Sequence, residues 1–200
     1  YVKDKKVLID TKSGVKILYL GIDELTNKAV EAEVDMGAPI WDPKRIPALI
    51  EENRVVSYPI NIYGNVYKVT CVSMGNPHAV VFMDYIKHLE LEKLGPKFEK
   101  NALFPHGINT EFVRVIDRQN VEMRVWERGS GETLGCGTGS CASVVAAIEN
   151  GFCDADEYVN VHLQGGLLRI KLDSKINNNT VWMKGECVKA FEGVIEFDSR

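Results

Sequence analysis

Short apolar runs, many of them alternating with polar residues, recur along most of the chain and are separated by turn-forming residues. A period of two residues is typical of strands rather than helices. The pattern predicts strands over residues 7–11, 15–20, 30–34, 65–72, 78–83, 109–116, 120–126, 158–163, 167–172, 180–184 and 188–197. We therefore expect a protein dominated by sheet.

Two segments depart from this pattern and predict helices. Residues 138–149 are mostly alanine, serine, valine and cysteine and end at an Asn-Gly pair, which is a common helix stop. Because no face of this helix is strongly polar, burial on all sides is favoured. Residues 91–100 contain a Gly-Pro pair, at which we expect an interruption or a restart. The fold class predicted is α+β, with a curved, mostly antiparallel sheet wrapped around a central helix.

Composition excludes several classes of protein. With 200 residues, of which 45% are hydrophobic, the chain can bury a substantial core. A net charge of −4 and a pI near 5.6 argue against nucleic-acid or anionic-membrane partners. Five cysteines at irregular spacing do not resemble a disulfide framework, which favours a reducing cytoplasm.

Cys136 is the strongest candidate for chemistry. It stands between glycines directly before the predicted helix, where free backbone amides and the helix dipole favour negative charge. We therefore expect a stabilised thiolate, and the amides of Gly137 and Thr138 are expected to hold a substrate carboxylate. The alternative is a glycine-rich helix start with an inert thiol. The other four cysteines lack this setting, and we interpret them as structural.

Three further positions are candidates for binding and proton transfer. Asn76 and His78 flank a proline that stiffens their loop, and imidazole can take a proton from a nearby thiol. Asn109 opens a predicted strand and offers amide groups to a zwitterion. Glu127 and Arg128 carry charges suited to ammonium and carboxylate groups. From the residues alone, a turn, a strand cap and a surface ion pair remain the respective alternatives.

The segment Glu-Arg-Gly-Ser-Gly-Glu-Thr-Leu-Gly-Cys-Gly-Thr-Gly at residues 127–139 closely resembles the second cysteine motif of the diaminopimelate epimerases. Residues 75–80, 107–112 and 181–185 are similar to further motifs of that family and occur in the same order. The resemblance covers nearly the whole chain. The family's first cysteine motif, of the type Met-Cys-Gly-Asn-Gly, is not in the sequence, and we expect it upstream of Tyr1.

The resemblance implies a reaction and roles for individual residues. The family inverts one α-carbon of a diamino dicarboxylic acid, without pyridoxal phosphate or metal, between two cysteines on opposite faces of the substrate. By resemblance, Cys136 is one of these cysteines and His78 and Glu127 support proton transfer. Substrate-binding residues implied in the same way are Asn76, Asn109, Glu127, Arg128, Gly137 and Thr138.

The resemblance also implies two pseudo-symmetric lobes with the site between them. We expect residues 1–40 to be a remnant of the N-terminal lobe and residues 41–188 to be the C-terminal lobe carrying Cys136. Residues 189–200 are expected to form a strand that returns to the N-terminal lobe. Because the chain starts at Tyr1 without a methionine, we interpret it as N-terminally truncated and inactive alone. A homodimer is a further expectation.

Two other functions stay open from the sequence. A racemase acting on proline or hydroxyproline would share the cysteine chemistry but has less need for the Glu127-Arg128 pair. In a non-catalytic lobe that only dimerises, Cys136 would be inert.

Overall fold

A computed structural model describes residues 4–11, 14–176 and 179–196. These residues contain two α-helices, α1 at Leu91–Glu99 and α2 at Gly137–Glu149, and a short 3-10 helix at Pro43–Arg45. The strands are β1 Lys6–Thr11, β2 Gly14–Asp23, β3 Lys28–Gly37, β4 Tyr58–Ile62, β5 Asn65–Ser73, β6 Pro77–Phe82, β7 Asn109–Asp117, β8 Asn120–Glu127, β9 Gly131–Thr133, β10 Val159–Leu163, β11 Gly166–Asp173 and β12 Thr180–Glu186.

All of these strands belong to one sheet. Its order is β1-β2-β3-β12-β11-β10-β8-β7-β6-β5-β4, with β9 paired to β8 off this path. Neighbouring strands run antiparallel except at two places, where β6 pairs with β7 and β8 pairs with β10 in parallel. The predicted, mostly antiparallel sheet is thereby confirmed.

Helix α2 lies at the centre of the sheet. Every residue from Gly139 to Ala147 is buried, and the helix contacts β5 to β8 as well as β10 to β12. Small side chains let strands approach the helix from several directions, because little volume separates the backbones. This arrangement confirms the expected α+β fold with a sheet around a central helix.

A second core occupies the opposite face of β4 to β8. Helix α1 and the segment at residues 46–55 cover this face, and Phe98 of α1 packs edge-on against Phe112 of β7 at a centroid distance of 5.4 Å. The central strands are therefore buried on both faces. Buried strands of this kind carry near-continuous apolar runs, and a polar residue within such a run needs a specific partner.

Helix α1 is not interrupted, contrary to the expectation at Gly95-Pro96. Pro96 lies inside the continuous helix. Gly95 is the residue that packs tightly, since an added Cβ would lie 2.2 Å from Cδ2 of Trp126. Strand β4 was missed because Pro59 near its start ends a proline-rich segment and argues against a strand. Strand β9 was missed because it has only three residues, within the glycine loop.

The last predicted strand, residues 188–197, is not formed. Residues 187–196 carry no strand, and Phe197 lies outside the described residues. The backbone amide of Cys187 still donates to the carbonyl of Val30 at 2.9 Å. Val194 and Ile195 beyond it are exposed. A β-prone segment forms a strand only where a free edge pairs with it, and no described strand does so here.

The boundary expected near residue 40 falls within this continuous sheet, because β3 pairs with β12 across it. The division into a remnant lobe, a C-terminal lobe and a returning terminal segment stays a prediction. Neither described helix is long or apolar enough to cross a membrane.

Replacing Gly95 by alanine is expected to lower the free energy of unfolding by about 1–3 kcal/mol, through overpacking in a filled core. The indole cannot move aside freely, because its Nε1 donates to Glu99 Oε2 at 2.7 Å. Helix propensity favours alanine by up to about 1 kcal/mol, which only partly offsets the clash. Urea unfolding followed by circular dichroism measures the change.

Gly193→Ala is the matched control, since an added Cβ at Gly193 meets no atom within 4 Å. Its midpoint is expected to equal that of the unsubstituted chain. In a Trp126→Leu background, Gly95→Ala should cost less, because the clashing ring is gone. An equal cost in both backgrounds would contradict the packing explanation.

Candidate active site

Cys136 is the N-cap residue of α2, as its position before a small-residue helix predicts. Its backbone is extended, with φ −134° and ψ 117°. The amide of Gly139 donates to its sulfur at 3.4 Å, and both the amide and the hydroxyl of Ser140 donate to its carbonyl at 2.9 Å. The thiol therefore lies at the positive end of the buried helix.

Burial has the largest effect on the pKa of the Cys136 thiol. Cys136 is only 9% exposed, and this desolvation raises the pKa of its thiol above the ordinary value. The Thr138 hydroxyl, 3.4 Å from Sγ, and the Gly139 amide lower the pKa, whereas the carboxylates of Glu111 and Glu127 raise it further. The expected stabilised thiolate is therefore wrong for this conformation, in which the raised pKa favours the neutral thiol.

His78 forms a buried pair with Glu111, a residue to which the sequence assigned no role. The strands β6 and β7 run parallel in a register that places His78 beside Asn109, and His78 Nδ1 lies 2.7 Å from Glu111 Oε1. Both side chains are 0% exposed. Glu111 Oε2 has no hydrogen-bond partner among the described residues. A buried ionisable group with half of its acceptors unused is expensive and points to function.

Hydrogen bonds link this pair to the thiol. His78 Nε2 lies 3.0 Å from Asn76 Oδ1, Asn76 Nδ2 donates to Thr138 Oγ1 at 3.2 Å, and Thr138 Oγ1 lies 3.4 Å from Cys136 Sγ. We call this series, Glu111, His78, Asn76, Thr138 and Cys136, the polar chain. It brings together four of the predicted site residues.

Gly139 makes room for the polar chain at the first turn of α2. A Cβ on Gly139 would lie 2.7 Å from Glu111 Oε1 and 3.3 Å from Cys136 Sγ. Only a residue without a side chain lets the carboxylate and the sulfur approach the same turn. The sequence signal for Glu111 was a carboxylate directly before the apolar residues Phe112 and Val113 of β7.

Asn109 connects two of the predicted motifs. Its Nδ2 donates to the carbonyl of Pro77 at 2.8 Å, and its Oδ1 accepts from the amide of Arg128 at 2.9 Å. The side chain is thus a structural tie between the Asn-Pro-His loop and the end of β8. Its strand-opening position is as predicted, but its amide contacts backbone rather than the polar chain.

Glu127 and Arg128 point to different partners. Glu127 Oε1 accepts from the hydroxyl of Thr133 at 2.5 Å, and its charge acts on Cys136. Arg128 is exposed and its Nη1 donates to the carbonyl of His106 at 3.0 Å. Within the described ranges the two side chains form no ion pair with each other. The structure therefore brings Glu127 near the thiol and turns the Arg128 guanidinium away.

A cleft of about 520 Å³ reaches Cys136. It is lined mainly by apolar residues and glycines, including Leu134, Leu163 and Leu168, whereas the side chains of Asn76 and His78 do not line it. The first amides of a helix have no intrahelical acceptor, and those of residues 137 and 138 are therefore available to an anion. In the described part of the chain no cluster of His, Cys, Asp and Glu fits a metal ion.

The remaining cysteines are free thiols, as expected from their spacing. Cys71 and Cys141 are fully buried, and desolvation raises the pKa of both. Desolvation also raises the pKa of Cys153 to about 11. Cys187 is partly exposed. No hydrogen bond joins any of these four side chains to the polar chain within the part of the molecule described.

Structural neighbours share the fold. A probable proline racemase from Agrobacterium radiobacter K84 superposes with a TM-score of 0.65 over 93% of this chain and 59% of that one, at 11% identity. A hydroxyproline epimerase from Agrobacterium vitis, solved with trans-4-hydroxy-L-proline, gives a TM-score of 0.66 at 10% identity, over 93% of this chain and 58% of that one. At such identity these likenesses concern the fold alone.

Sequence relatives are much closer. The diaminopimelate epimerase of Acetivibrio thermocellus is 46% identical over 192 residues, which are 96% of this chain and 66% of the relative. That of Desulfovibrio desulfuricans is 47% identical over 198 residues, covering 96% and 67% respectively. The chain thus spans about two thirds of the length of these relatives. A model of the diaminopimelate epimerase family matches residues 70–190, and the chain belongs to that family.

Proposed function

We propose that the chain carries one half of the catalytic machinery of a cofactor-independent isomerase that interconverts LL- and meso-diaminopimelate. The observation that carries the proposal is the position of Cys136 at the N-terminus of a buried helix, joined to a buried His78–Glu111 pair. The family membership and the names of the relatives support this choice of substrate. Lysine biosynthesis is the corresponding role.

Cys136 is the proposed acid–base group. As a thiolate it takes the α-proton, forming an S–H bond while the C–H electron pair stays on the α-carbon as a carbanion. As a thiol it returns a proton to the carbanion and becomes the thiolate again. The raised pKa of the Cys136 thiol lies closer to the high pKa of the substrate's α-carbon, which is a weak acid. A more basic thiolate is therefore a stronger acceptor for the α-proton.

The first turn of α2 is the proposed carboxylate site. The amides of Gly137 and Thr138 lie beside the thiol and bind the α-carboxylate, so that negative charge developing on the α-carbon meets fixed dipoles. Asn76 and Asn109 are proposed to contribute the second Nδ2 hydrogen, since Thr138 and Pro77 each accept only one. Glu127 is proposed to bind an ammonium group. These roles require no metal and no organic cofactor.

Arg128 is proposed to bind a carboxylate of the substrate. An arginine fork suits a carboxylate, and the hydroxyprolines and prolines of the rival racemase reaction lack the second one. In the present conformation its guanidinium donates to the carbonyl of His106. When the substrate binds, the guanidinium would have to leave the carbonyl of His106 for the substrate carboxylate. Losing the present hydrogen bond costs little free energy, because the bond is exposed and water already competes for both groups.

Net inversion needs a second acid–base group on the opposite face of the α-carbon. Cys71, Cys141 and Cys153 are buried, and none of them shares a hydrogen bond with Cys136. Cys187 is partly exposed and lies past the end of β12. Glu186 and Val188 on either side of it line the cleft at Cys136, but Cys187 itself does not. We therefore propose that the 200-residue chain alone performs half of the reaction. A homodimer in a reducing cytoplasm is the assembly and location we propose for the protein.

In D₂O, the 200-residue chain is expected to exchange the α-hydrogen of one of the two epimers without inverting it. A single thiol delivers deuterium to the face from which it took the proton, and so configuration is retained. Proton NMR follows the loss of the α-hydrogen signal, and circular dichroism follows inversion. Cys136→Ala should abolish the exchange, whereas Cys187→Ser should leave it unchanged.

Clear inversion by the isolated chain would contradict the one-sided reaction. Exchange that survives in Cys136→Ala would remove the thiol from the proposal. Offering proline in parallel tests the racemase alternative, because exchange of proline but not of diaminopimelate would favour that function.

Arg128→Gln is expected to slow the exchange of diaminopimelate about 10- to 100-fold, which corresponds to the loss of one charge-assisted hydrogen-bonding partner. Proline exchange, if any, should be unaffected, since proline has no distal carboxylate. Arg118→Gln is the matched control, because Arg118 is also exposed and pairs with Asp154. Equal slowing by both substitutions would mean that general charge, not recognition, is responsible.

A further inference from the structure

The polar chain starts at the carboxylate of Glu111, of which only one oxygen has a hydrogen-bond partner among the described residues. Glu111 Oε1 lies 2.7 Å from His78 Nδ1, while Oε2 has no partner among the described residues. No lysine or arginine pairs with Glu111 in that part of the chain. Since an uncompensated charge is costly in a fully buried place, a proton is held between Oε1 and Nδ1.

The orientation of Asn76 reports which ring nitrogen carries hydrogen. Asn76 Oδ1 lies 3.0 Å from His78 Nε2, and a carbonyl oxygen can only accept, so this orientation requires hydrogen on Nε2. Asn76 Nδ2 then donates to Thr138 Oγ1. The hydrogen of the Thr138 hydroxyl is left for the sulfur of Cys136, where it lowers the pKa of the thiol, although burial keeps that pKa above its ordinary value.

In the tautomer without a hydrogen on Nε2, every later contact is reversed. The remaining ring hydrogen is on Nδ1, where it donates to Glu111. Asn76 must turn its amide so that Nδ2 donates to the bare Nε2, and its oxygen then accepts from Thr138. The Thr138 oxygen can now only accept from Cys136, which therefore keeps its proton. The hydrogen bonds of the polar chain can thus run in two directions. In one, Thr138 donates to the sulfur, which favours the thiolate; in the other, Thr138 accepts from the sulfur, which favours the thiol.

We propose that Glu111 is a positioning residue that ties the direction of the polar chain to the proton it shares with His78. Cys136 and this pair thereby exchange acid and base roles together, although Glu111 never touches the substrate. The inference rests on the proposed acid–base role of Cys136 and adds the residue that controls it.

Other charges near the two ends of the polar chain are few. Besides Glu111 on β7, the charged group that acts on Cys136 is Glu127 on β8. Cys136 and Lys16 of β2 in turn act on the buried Cys141, which lies further along α2. At the other end, Cys71 on β5 lies within the influence of Glu111. Both carboxylates oppose the thiolate through space. A test must therefore separate that direct effect from coupling through the hydrogen bonds.

The test is the pH dependence of Cys136 alkylation by iodoacetamide, with no substrate present. The 200-residue chain carries Cys187→Ser, and mass spectrometry of peptides assigns the modified residue. The unsubstituted polar chain is expected to give a pH profile with two steps, because hydrogen bonds couple the Cys136 thiol to the other groups of the polar chain. Asn76→Ala removes the middle of the polar chain and should give a profile with a single step. A substitution that only changed how easily iodoacetamide reaches Cys136 would change the alkylation rate by the same factor at every pH.

Glu111→Gln is expected to raise the alkylation rate at pH 7 about threefold or more, because the carboxylate of Glu111 raises the pKa of the Cys136 thiol and a neutral amide does not. In a Thr138→Val background the same substitution should give less than half of this gain, because the hydroxyl that carries the coupling is missing. Valine keeps the size of threonine and leaves the backbone amide in place.

Two results would overturn the inference. One is an equal gain from Glu111→Gln with and without the Thr138 hydroxyl, which would mean a direct charge effect. The other is a two-step profile that persists in Asn76→Ala. The second comparison keeps both residues of the buried pair and removes only the contact of His78 with Asn76, and it decides the matter even if Glu111→Gln does not fold. Because alkylation involves no diaminopimelate, a failure of substrate exchange bears on the proposed function and not on this coupling.

Discussion

The burial of α2 within the sheet is the constraint on which the site depends. Nine consecutive residues of this helix are enclosed, and their small side chains allow strands from both halves of the sheet order to reach it. Because the N-terminus of the helix is only partly exposed, at a cleft, its unpaired amides act in a medium less polar than bulk water, where dipoles have a longer reach than at a wet surface. A sulfur placed at that end meets fixed donors that need no reorganisation.

The same enclosure works against the charged form of the sulfur. Desolvation raises the pKa of Cys136 more than Thr138 and Gly139 lower it. The two effects have one origin, since the medium that strengthens each hydrogen bond also removes the solvent that would stabilise a thiolate. For a group that must both accept and donate a proton, neither form should dominate strongly. The neighbouring carboxylates and the hydroxyl of Thr138 set this balance.

Local patterns in the sequence predicted most of the sheet and the central helix, because alternation and small-residue composition belong to single elements. Strand β9 and the end of the chain were not predicted correctly, because pairing there depends on which edge is available in the folded sheet. Cys136 was found since its motif is local. Glu111 was not, because its partner His78 is 33 residues away and the two meet only through the parallel pairing of β6 and β7.

A buried His–Glu pair contributes little to stability, and apolar residues of similar size would commonly serve the fold as well or better. Position 139 is nevertheless a glycine, and this residue leaves the space that the carboxylate occupies. Any side chain there would collide with Glu111 Oε1 and approach the sulfur. It also leaves Oε2 unpaired. A packing role explains neither feature. Both are accounted for if the carboxylate must stay close to the first turn of α2, where its shared proton can govern the groups around Cys136.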